Sequence, residues 1–568
     1  MNRLRRVVNN TVISLIGQAV TWTSTFILTL AYGRFLGDVK FGELYFAITF
    51  VTLIGFPLEF GFNQQLTRDV AQVPEKAMRY LSTTLLLKFM LWPVLYGTIL
   101  AICYLLNYSP ETRLLVAISG ITLLSGSIAN TFGALHNAFE RVVYPVVGTV
   151  LEKGSSALLG WLLLRQGIGV VPMACVLLAG SSANALWQAI NCFRLQGLHL
   201  TFDRRLLSEL VRSSIPFLAY GVLGVIYYRL DTVLLSLETN DAVVGWYGAG
   251  YRLFDTLVFL PNIVILAIMY PLLSKFSVTS EEILKMAIEK SMNFLLFCGI
   301  PIATTMIVAA PQIIGFMYHN ADFLPSIQVL QMLAPGLIFL YVNTVLSTTL
   351  MSIKQEKKVT IMAAIALLFN LGLNLWLIPL WQHIGAALVT SLTELLLLCL
   401  ATAFIPRHLW PRKSLLVGTK IIVASLVMAG VMRLLYPFGL YVLLLAGGLV
   451  YLAVIALLRT IPRSDIQALY QAIRNRKQTA DPELIDTLPL PALTTQPLPA
   501  LNRSEVMNSD DETTQKIQSI FYSSQPASDE SETPTQPLRN RHRLPHTPRP
   551  EFYPDQPVRE EANARDAR

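Results

Sequence analysis

Long apolar segments separated by short polar ones fill the first 460 residues. Fourteen of them are long enough to cross the ~30 Å hydrocarbon core of a bilayer as helices. These segments are residues 11–33, 43–63, 81–106, 114–135, 143–164, 170–193, 214–236, 253–274, 291–312, 326–350, 359–380, 384–405, 415–435 and 439–459. The connections between them are too short to hold a soluble domain. The pattern therefore predicts an all-α integral membrane protein.

Basic residues are concentrated in alternate connections, which sets the orientation because Lys and Arg are retained on the cytoplasmic side. The basic-rich connections contain Arg3, Arg5, Arg6, Arg68, Lys76, Arg79, Arg141, Arg194, Arg204, Arg205, Arg212, Lys275, Lys285, Lys290, Lys354, Lys357, Lys358, Arg407, Arg412 and Lys413. The other connections and their margins contain only Arg34, Lys40, Arg113, Arg165, Arg252 and Arg433. This asymmetry places both termini in the cytoplasm.

A weak internal repeat relates the two halves of the chain. The segment that contains Asp38 and Gly42 corresponds to the one that contains Asp241 and Gly245, with an offset of about 203 residues. Duplicated bundles are common in membrane transporters. The repeat predicts two pseudo-symmetric six-helix lobes with two helices added, at residues 1–200, 201–406 and 407–462.

The sequence changes character after the last apolar segment. Apolar residues at helical spacing in 463–479 predict an amphipathic juxtamembrane helix. Residues 480–568 contain 13 of the 31 prolines and no glycine. Such a segment cannot bury enough apolar surface to fold, so we expect a disordered, proline-rich cytoplasmic tail.

Composition excludes several classes of function. Hydrophobic residues make up 53% of the chain and charged residues 14%, with a mean hydropathy of +0.52, which excludes a soluble enzyme. The net charge of +8 combines −6 in the tail with +14 elsewhere, mostly in cytoplasmic connections. It therefore gives no support for nucleic-acid binding. We expect no catalytic residues, metal site or cofactor, since the chain lacks a Walker loop and clustered metal ligands.

Ionisable and amide side chains inside the predicted helices are the candidates for a functional site. Inserting each charged side chain at the bilayer centre costs roughly 2.5–3.5 kcal/mol of free energy on insertion scales, so a structural or functional role must offset that cost. The candidates are Lys88, Lys153, Arg229, Arg252, Glu152, Asp231, Asp255, Glu394, Asn370 and Asn374. They predict a water-filled cavity for a polar substrate or a coupling ion. Paired structural charges, snorkelling side chains and interhelical hydrogen bonds are the alternative explanations.

Several motifs resemble those of the O-antigen (Wzx-type) polysaccharide flippases, in the multidrug/oligosaccharidyl-lipid/polysaccharide exporter superfamily. The resemblance extends over residues 1–460 and rests on Gly33-Arg34-Phe35-Leu36-Gly37, Glu59-Phe60-Gly61-Phe62-Asn63 and Arg68 in the first half. In the second half it rests on Asp231, the run from Val244 to Leu253, Pro261, Pro271-Leu272-Leu273-Ser274, Asn370-Leu371-Gly372-Leu373-Asn374 and Gly385-Ala386-Ala387.

The resemblance implies fourteen helices in two lobes around a V-shaped cavity that alternates between inward- and outward-facing states. It implies transport of an undecaprenyl-pyrophosphate-linked oligosaccharide across the bacterial plasma membrane for polysaccharide or lipopolysaccharide synthesis. Membrane lipids, a polysaccharide polymerase and glycosyltransferases are the expected partners.

Position in the helices assigns the candidate roles. We expect Lys88, Lys153, Arg229 and Arg252 to face the pyrophosphate, and Asn370 and Asn374 to contact substrate. Glu152, Asp231, Asp255 and Glu394 are then counter-ions or sites of H⁺ or Na⁺ coupling. Of these residues, Arg252 and Asp255 are expected near the outer end of the eighth helix.

Three other functions remain open at this point. A drug or metabolite antiporter of the same superfamily would favour a smaller, acidic and aromatic cavity. A lipid II flippase is closer, although its relatives carry several arginines deep in helices one and two, where this chain has only Arg34. A non-transporting scaffold of a glycan-synthesis complex would depend on residues 480–568 instead of on the charges in the helices.

Overall fold

The computed structural model describes residues 2–59, 61–197, 204–264 and 269–460, and these form helices joined by short turns. The first seven helices are α1 (Asn2–Phe35), α2 (Gly37–Gly55), α3 (Phe62–Gln72), α4 (Ala77–Leu105), α5 (Pro110–Ala138), α6 (Val143–Arg165) and α7 (Val170–Gln196). The others are α8 (Arg204–Glu238), α9 (Asp241–Val264), α10 (Tyr270–Thr279), α11 (Glu281–Val308), α12 (Ala310–Tyr318), α13 (Ser326–Ser352), α14 (Glu356–Phe404), α15 (Arg412–Leu434) and α16 (Leu440–Leu457).

The all-α, multi-pass membrane class is confirmed, and each predicted span overlaps one of these helices. Eleven helical segments of the described chain are long and apolar enough to span a bilayer. One of them, α14, covers two predicted spans. It changes direction at Gln382, whose φ of 47° lies in the left-handed region. The count of fourteen spans and the cytoplasmic termini stay predictions, and the predicted 463–479 helix and 480–568 tail lie outside the described residues.

The bounds of two predicted spans differ most from those of the observed helices. The span predicted at 43–63 is broken, because α2 ends at Gly55, a single 3₁₀ turn contains Pro57, and α3 starts after Gly61. Proline lacks an amide donor, and Gly61 has a φ of 81° that side-chain-bearing residues rarely adopt. The span predicted at 253–274 belongs to a helix that starts at Asp241.

Helix contacts group the first and second halves of the chain. In the first half, α1 packs on α6, and α5 packs on α3, α4 and α7. In the second half, α13 packs on α9, α11 and α14, while α8 packs on α14. The last two helices, α15 and α16, pack on each other, and α15 also packs on α11. We refer to α1–α7 as the N-lobe and to α8–α14 as the C-lobe; the boundaries at residues 200 and 406 stay predictions.

The lobes meet where repeat-related residues of α2 and α9 cross. A Cβ atom at Gly42 would overlap the Asp241 carbonyl oxygen, and one at Gly245 would overlap the Asp38 carbonyl oxygen. The two contacts are reciprocal across the 203-residue offset, so the lobes are related there by a local two-fold axis. We call this crossing the glycine contact; the distribution of basic residues assigns it to the outer end of the bundle.

Polar and aromatic side chains surround the glycine contact. The Lys40 ammonium lies 2.6 Å from a Glu111 carboxylate oxygen and 3.1 Å from one of Glu43. The Trp246 indole donates to Asp38 of the other lobe at 2.8 Å. Phe41 packs edge-on against Phe323 of the C-lobe, with the ring centroids 5.7 Å apart. The two lobes are therefore closed against each other at this end, which the distribution of basic residues predicts to be the outer one.

Candidate functional site

Four of the candidate residues come together in the middle of the bundle, on α8 and α9. Arg252 is eleven residues from the start of α9 at Asp241, hence about 16 Å along the helix axis, half the thickness of the hydrocarbon core. The expectation that Arg252 and Asp255 lie near the outer end of their helix was therefore wrong. The predicted start of that helix was twelve residues too late, which displaced both residues towards its end.

The central cluster consists of Arg229, Asp231, Arg252 and Asp255. Arg229 forms an ion pair with Asp255, with Nη1 to Oδ2 at 3.2 Å. Asp231 accepts hydrogen bonds from the Tyr247 hydroxyl and, at 2.7 Å, from the Thr232 amide. These contacts satisfy both aspartates within the C-lobe.

Arg252 is the cation of this cluster that has no carboxylate partner among the described residues. Its guanidinium lies over the Tyr45 ring of the N-lobe, 5.8 Å from the ring centroid, and its Nε is buried without a hydrogen-bond partner. A cation held this way carries an available positive charge at the lobe boundary. Tyr45 also lies close enough to Arg229, Asp231 and Asp255 to interact with their charges.

A cavity of about 260 Å³ opens beside Arg252. It lies between α1, which contributes Trp22, Thr25 and Thr29, and α9, which contributes Arg252 and Asp255. Met317 of α12 also lines it, so helices of both lobes border the cavity. The arrangement can hold an anionic group against Arg252 while a chain attached to that group leaves between the helices.

Lys88 does not join the central cluster. It is fully buried in the N-lobe, where its ammonium donates to the Ser127 hydroxyl at 2.8 Å and to the Asn63 side-chain oxygen at 3.3 Å. A Glu59 oxygen lies 3.7 Å away, and the other Glu59 oxygen accepts from the Asn63 amide at 2.8 Å. Its neighbours already satisfy the ammonium, so its predicted contact with phosphate has no support from this geometry.

Replacing Lys88 with methionine is expected to lower the melting temperature of the purified protein. The substitution keeps the side-chain length but leaves Glu59 without its cation, and breaking a buried ion pair costs about 3 kcal/mol. Thermal unfolding in detergent measures the effect. Lys88→Met combined with Glu59→Gln should recover part of the loss, and an unchanged melting temperature in the single variant would contradict the assignment.

Glu152 and Lys153 also form a separate N-lobe group. The Lys153 ammonium lies 2.7 Å from Glu152, and 42% of the Lys153 side chain is exposed. The second Glu152 oxygen accepts from Asn184 at 2.8 Å, and Asn184 accepts from Gln188 at 2.8 Å. The structure thus places Lys153 at the edge of a hydrogen-bond network and away from the central arginines.

The remaining candidates line a buried polar group in the C-lobe. Asn374 donates to Asn370 at 2.9 Å, and Asn370 donates to the Thr393 hydroxyl at 3.3 Å. The neighbouring Glu394 accepts from the Tyr227 hydroxyl at 2.7 Å. Glu394 Oε2 and Asn374 Oδ1 are buried and have no hydrogen-bond partner among the described residues. Each of these α14 oxygens is thus a buried acceptor, and the Asn343 side chain also lies beside the Glu394 carboxylate.

Sequence reasoning missed the residues that complete these groups. Tyr45, Tyr227 and Tyr247 are aromatic residues in apolar helices and are easily assigned to the core. Glu59 was noticed only as part of a family motif, and it contacts Asn63 across the break between the 3₁₀ turn and α3. In the described part of the chain no three His, Cys, Asp or Glu side chains are grouped as metal ligands.

The sequence matches two protein families and is similar to two proteins named as flippases. Residues 7–277 match the family described as "Polysaccharide biosynthesis protein", and residues 216–376 match the MatE family. "Probable low-salt glycan biosynthesis flippase Agl15" of Haloferax volcanii is 21% identical over 475 residues, which cover 81% of this chain and 94% of that protein. "Probable flippase AglR" of the same organism is 24% identical over 337 residues, or 55% of this chain and 67% of that protein.

Solved structures of transporters share the fold. A structure titled "Lipid II flippase MurJ, inward closed conformation" superposes with a TM-score of 0.65 at 18% identity, covering 79% of this chain and 98% of that one. An inward-facing structure of a multidrug resistance MATE family transporter gives a TM-score of 0.56 at 14% identity, covering 70% and 96%. The fold predicted from the helix pattern is thus that of known multi-pass transporters.

Proposed function

The chain belongs to the multidrug/oligosaccharidyl-lipid/polysaccharide exporter superfamily, and on that premise we propose that it moves a polyprenyl-pyrophosphate-linked oligosaccharide across the cytoplasmic membrane. The observation that carries the proposal is Arg252, a cation with no carboxylate partner in the described part of the chain, beside a cavity that helices of both lobes border. A pyrophosphate supplies the opposite charge, and charge-assisted hydrogen bonds gain strength away from water. Both archaeal relatives are called flippases, and the name of one of them, a glycan biosynthesis flippase, supports transport of a glycan.

Alternating access is the proposed mechanism. The outer ends of the lobes are closed at the glycine contact, so the substrate enters from the cytoplasmic side. Its pyrophosphate binds Arg252, and its polyprenyl chain remains in the bilayer through the cavity between α1 and α9. Separation of α2 from α9 then exposes the head group on the outer side.

Reconstitution tests the proposal directly. Proteoliposomes would contain a polyprenyl pyrophosphate that carries a fluorescent oligosaccharide, and a membrane-impermeant glycosidase would measure how much of it reaches the outer leaflet. We expect faster exposure than in protein-free vesicles. Exposure at the protein-free rate by correctly folded protein would overturn the proposal. Lipid II and a cationic dye, tested in parallel vesicles, distinguish a lipid II flippase and a drug antiporter.

Glu394 is the proposed site of coupling to H⁺ or Na⁺. Its carboxylate is buried, its Oε2 has no hydrogen-bond partner among the described residues, and α14 and α8 both border it. Occupation of such a site changes the net charge between packed helices of the C-lobe, which biases one conformation over another.

Glu394→Gln is expected to abolish acceleration of transport by an imposed proton or sodium gradient. Glutamine keeps the side-chain shape but neither titrates nor carries the charge that would attract a cation. Initial transport rates in proteoliposomes, with and without each gradient, measure this. The matched control is Glu281→Gln, an exposed carboxylate in the first turn of α11, which should retain the gradient response. A gradient response that survives in Glu394→Gln would exclude this site.

A further inference from the structure

The N-lobe contains a second polar cavity that the central cluster does not include. It has a volume of about 280 Å³ and lies between α3, α5, α6 and α7. Its lining includes Asn63, Gln64, Asn130, Asn137, Thr149 and Gln188. The distribution of basic residues assigns the C-terminal ends of α5 and α7 and the start of α6 to the cytoplasmic side. The cavity therefore lies at the predicted cytoplasmic end of the lobe.

Uncharged amides and hydroxyls form the polar lining, and no Lys, Arg, Asp or Glu contributes to it. Gln64, Asn130 and Asn137 are exposed at the mouth of the cavity, and their side-chain amides make no hydrogen bond to another described residue. Gln188 is 2% exposed, and its Oε1 is buried without a partner. Buried polar groups are nearly always hydrogen-bonded, so Gln188 Oε1 calls for a donor from an occupant of the cavity. The exposed amides beside it can both donate to and accept from such an occupant.

Charged networks on two sides hold the lining amides in position. Asn63 is fixed by Glu59 at 2.8 Å and by Lys88 at 3.3 Å. Gln188 is fixed through Asn184, which donates to Glu152 at 2.8 Å. The charges thus orient the amides but do not themselves line the cavity. Such supported polar groups are preorganised for a specific ligand.

A glycine keeps space open beside the most buried amide. A Cβ atom at Gly133 would lie 2.9 Å from Gln188 Oε1, so a side chain there would displace that oxygen. Ala129 and Ala134 of the same helix also border the cavity. The small residues of α5 therefore admit a ligand close to Gln188.

We propose that this cavity binds one neutral sugar unit of the glycan, a role that rests on the proposed transport of a lipid-linked oligosaccharide. Sugar hydroxyls donate and accept, as the amides do, and the uncharged lining has no counter-ion for a phosphate or an acidic sugar. Small-molecule pockets generally measure about 300–1,000 Å³, so a volume at the lower end suits a single ring. The pyrophosphate, in contrast, binds at Arg252.

Equilibrium binding in nanodiscs with two probes tests the sugar site. One probe is a polyprenyl pyrophosphate that carries one neutral hexose, and the other is the same lipid without sugar. We expect the wild-type protein to bind the glycosylated lipid about tenfold more tightly. The double variant Asn130→Leu with Asn137→Leu keeps the approximate side-chain shape but removes two free amides, and it should lose that preference while its affinity for the bare lipid stays unchanged.

Gln166→Leu is the matched control, because this exposed amide lies at the other end of α6. It should keep the preference. Equal binding of both probes by the wild-type protein, or a preference that survives in the double variant, would overturn the sugar site. Two other results would contradict the proposed function itself. Either the bare lipid would not bind to the wild-type protein, or it would bind and Arg252→Gln would leave its affinity unchanged.

Discussion

Replacing Arg252 with glutamine is expected to slow transport of a pyrophosphate-linked lipid about 10- to 100-fold without reducing the amount of folded protein. A hydrogen bond to a charged group contributes about 1.5–3 kcal/mol, and each ~1.4 kcal/mol corresponds to a factor of ten. Because Arg252 has no ion-pair partner among the described residues, its loss leaves no carboxylate unpaired. The glycosidase assay measures the rate, and size-exclusion chromatography measures the folded fraction.

Arg229→Gln provides the contrast. It leaves Asp255 without its cation, so we expect a lower folded fraction as well as slower transport. Arg252→Lys should retain part of the rate, because an ammonium keeps the charge but loses the guanidinium fork. Wild-type transport in Arg252→Gln would exclude this arginine as the phosphate ligand.

Gly42→Ala is expected to reduce transport at least tenfold by preventing closure of the outer end. The added methyl group would overlap the Asp241 carbonyl oxygen, which belongs to the backbone and cannot rotate away. Helices α2 and α9 must then separate at this point. Hydrogen–deuterium exchange should increase in residues 36–45 and 241–248, where the lobes lose their mutual protection.

Gly97→Ala is the matched control for this substitution. Gly97 also lies inside a helix, but a Cβ atom there would have no atom within 4 Å. Its transport rate and exchange should match those of the wild-type protein. Wild-type transport by Gly42→Ala would show that the tight crossing is dispensable.

The helix pattern predicted most of the fold because apolar length is a property of the sequence alone. It failed where local backbone chemistry interrupts or joins segments. The run across Gly55 and Gly61 reads as one apolar span, yet Pro57 and the left-handed Gly61 divide it. Three glycines between Asp241 and Arg252, with a charged residue at each end of that stretch, hid the first turns of α9. The 203-residue offset predicted related halves, but it could not show that Gly42 and Gly245 face each other.

The candidate site was less predictable, because pairing depends on how helices rotate against one another. The sequence alone does not say which carboxylate lies beside Lys88, and the structure places Glu59 there. Periodicity gives the face of a residue within its own helix, but it does not give the neighbour that the face meets. Arg229 and Asp255 are 26 residues apart on different helices, and only the packing of α8 on α9 joins them.

The glycine contact also affects how easily the lobes can open and close. Fixing a long side chain costs up to ~1.5–2 kcal/mol of rotamer freedom, whereas glycine has no side chain to fix. At the crossing of α2 and α9 the touching atoms belong to the backbones of helices that are already formed. Each closure therefore loses little conformational entropy there, which favours a contact that forms and breaks once in every transport cycle.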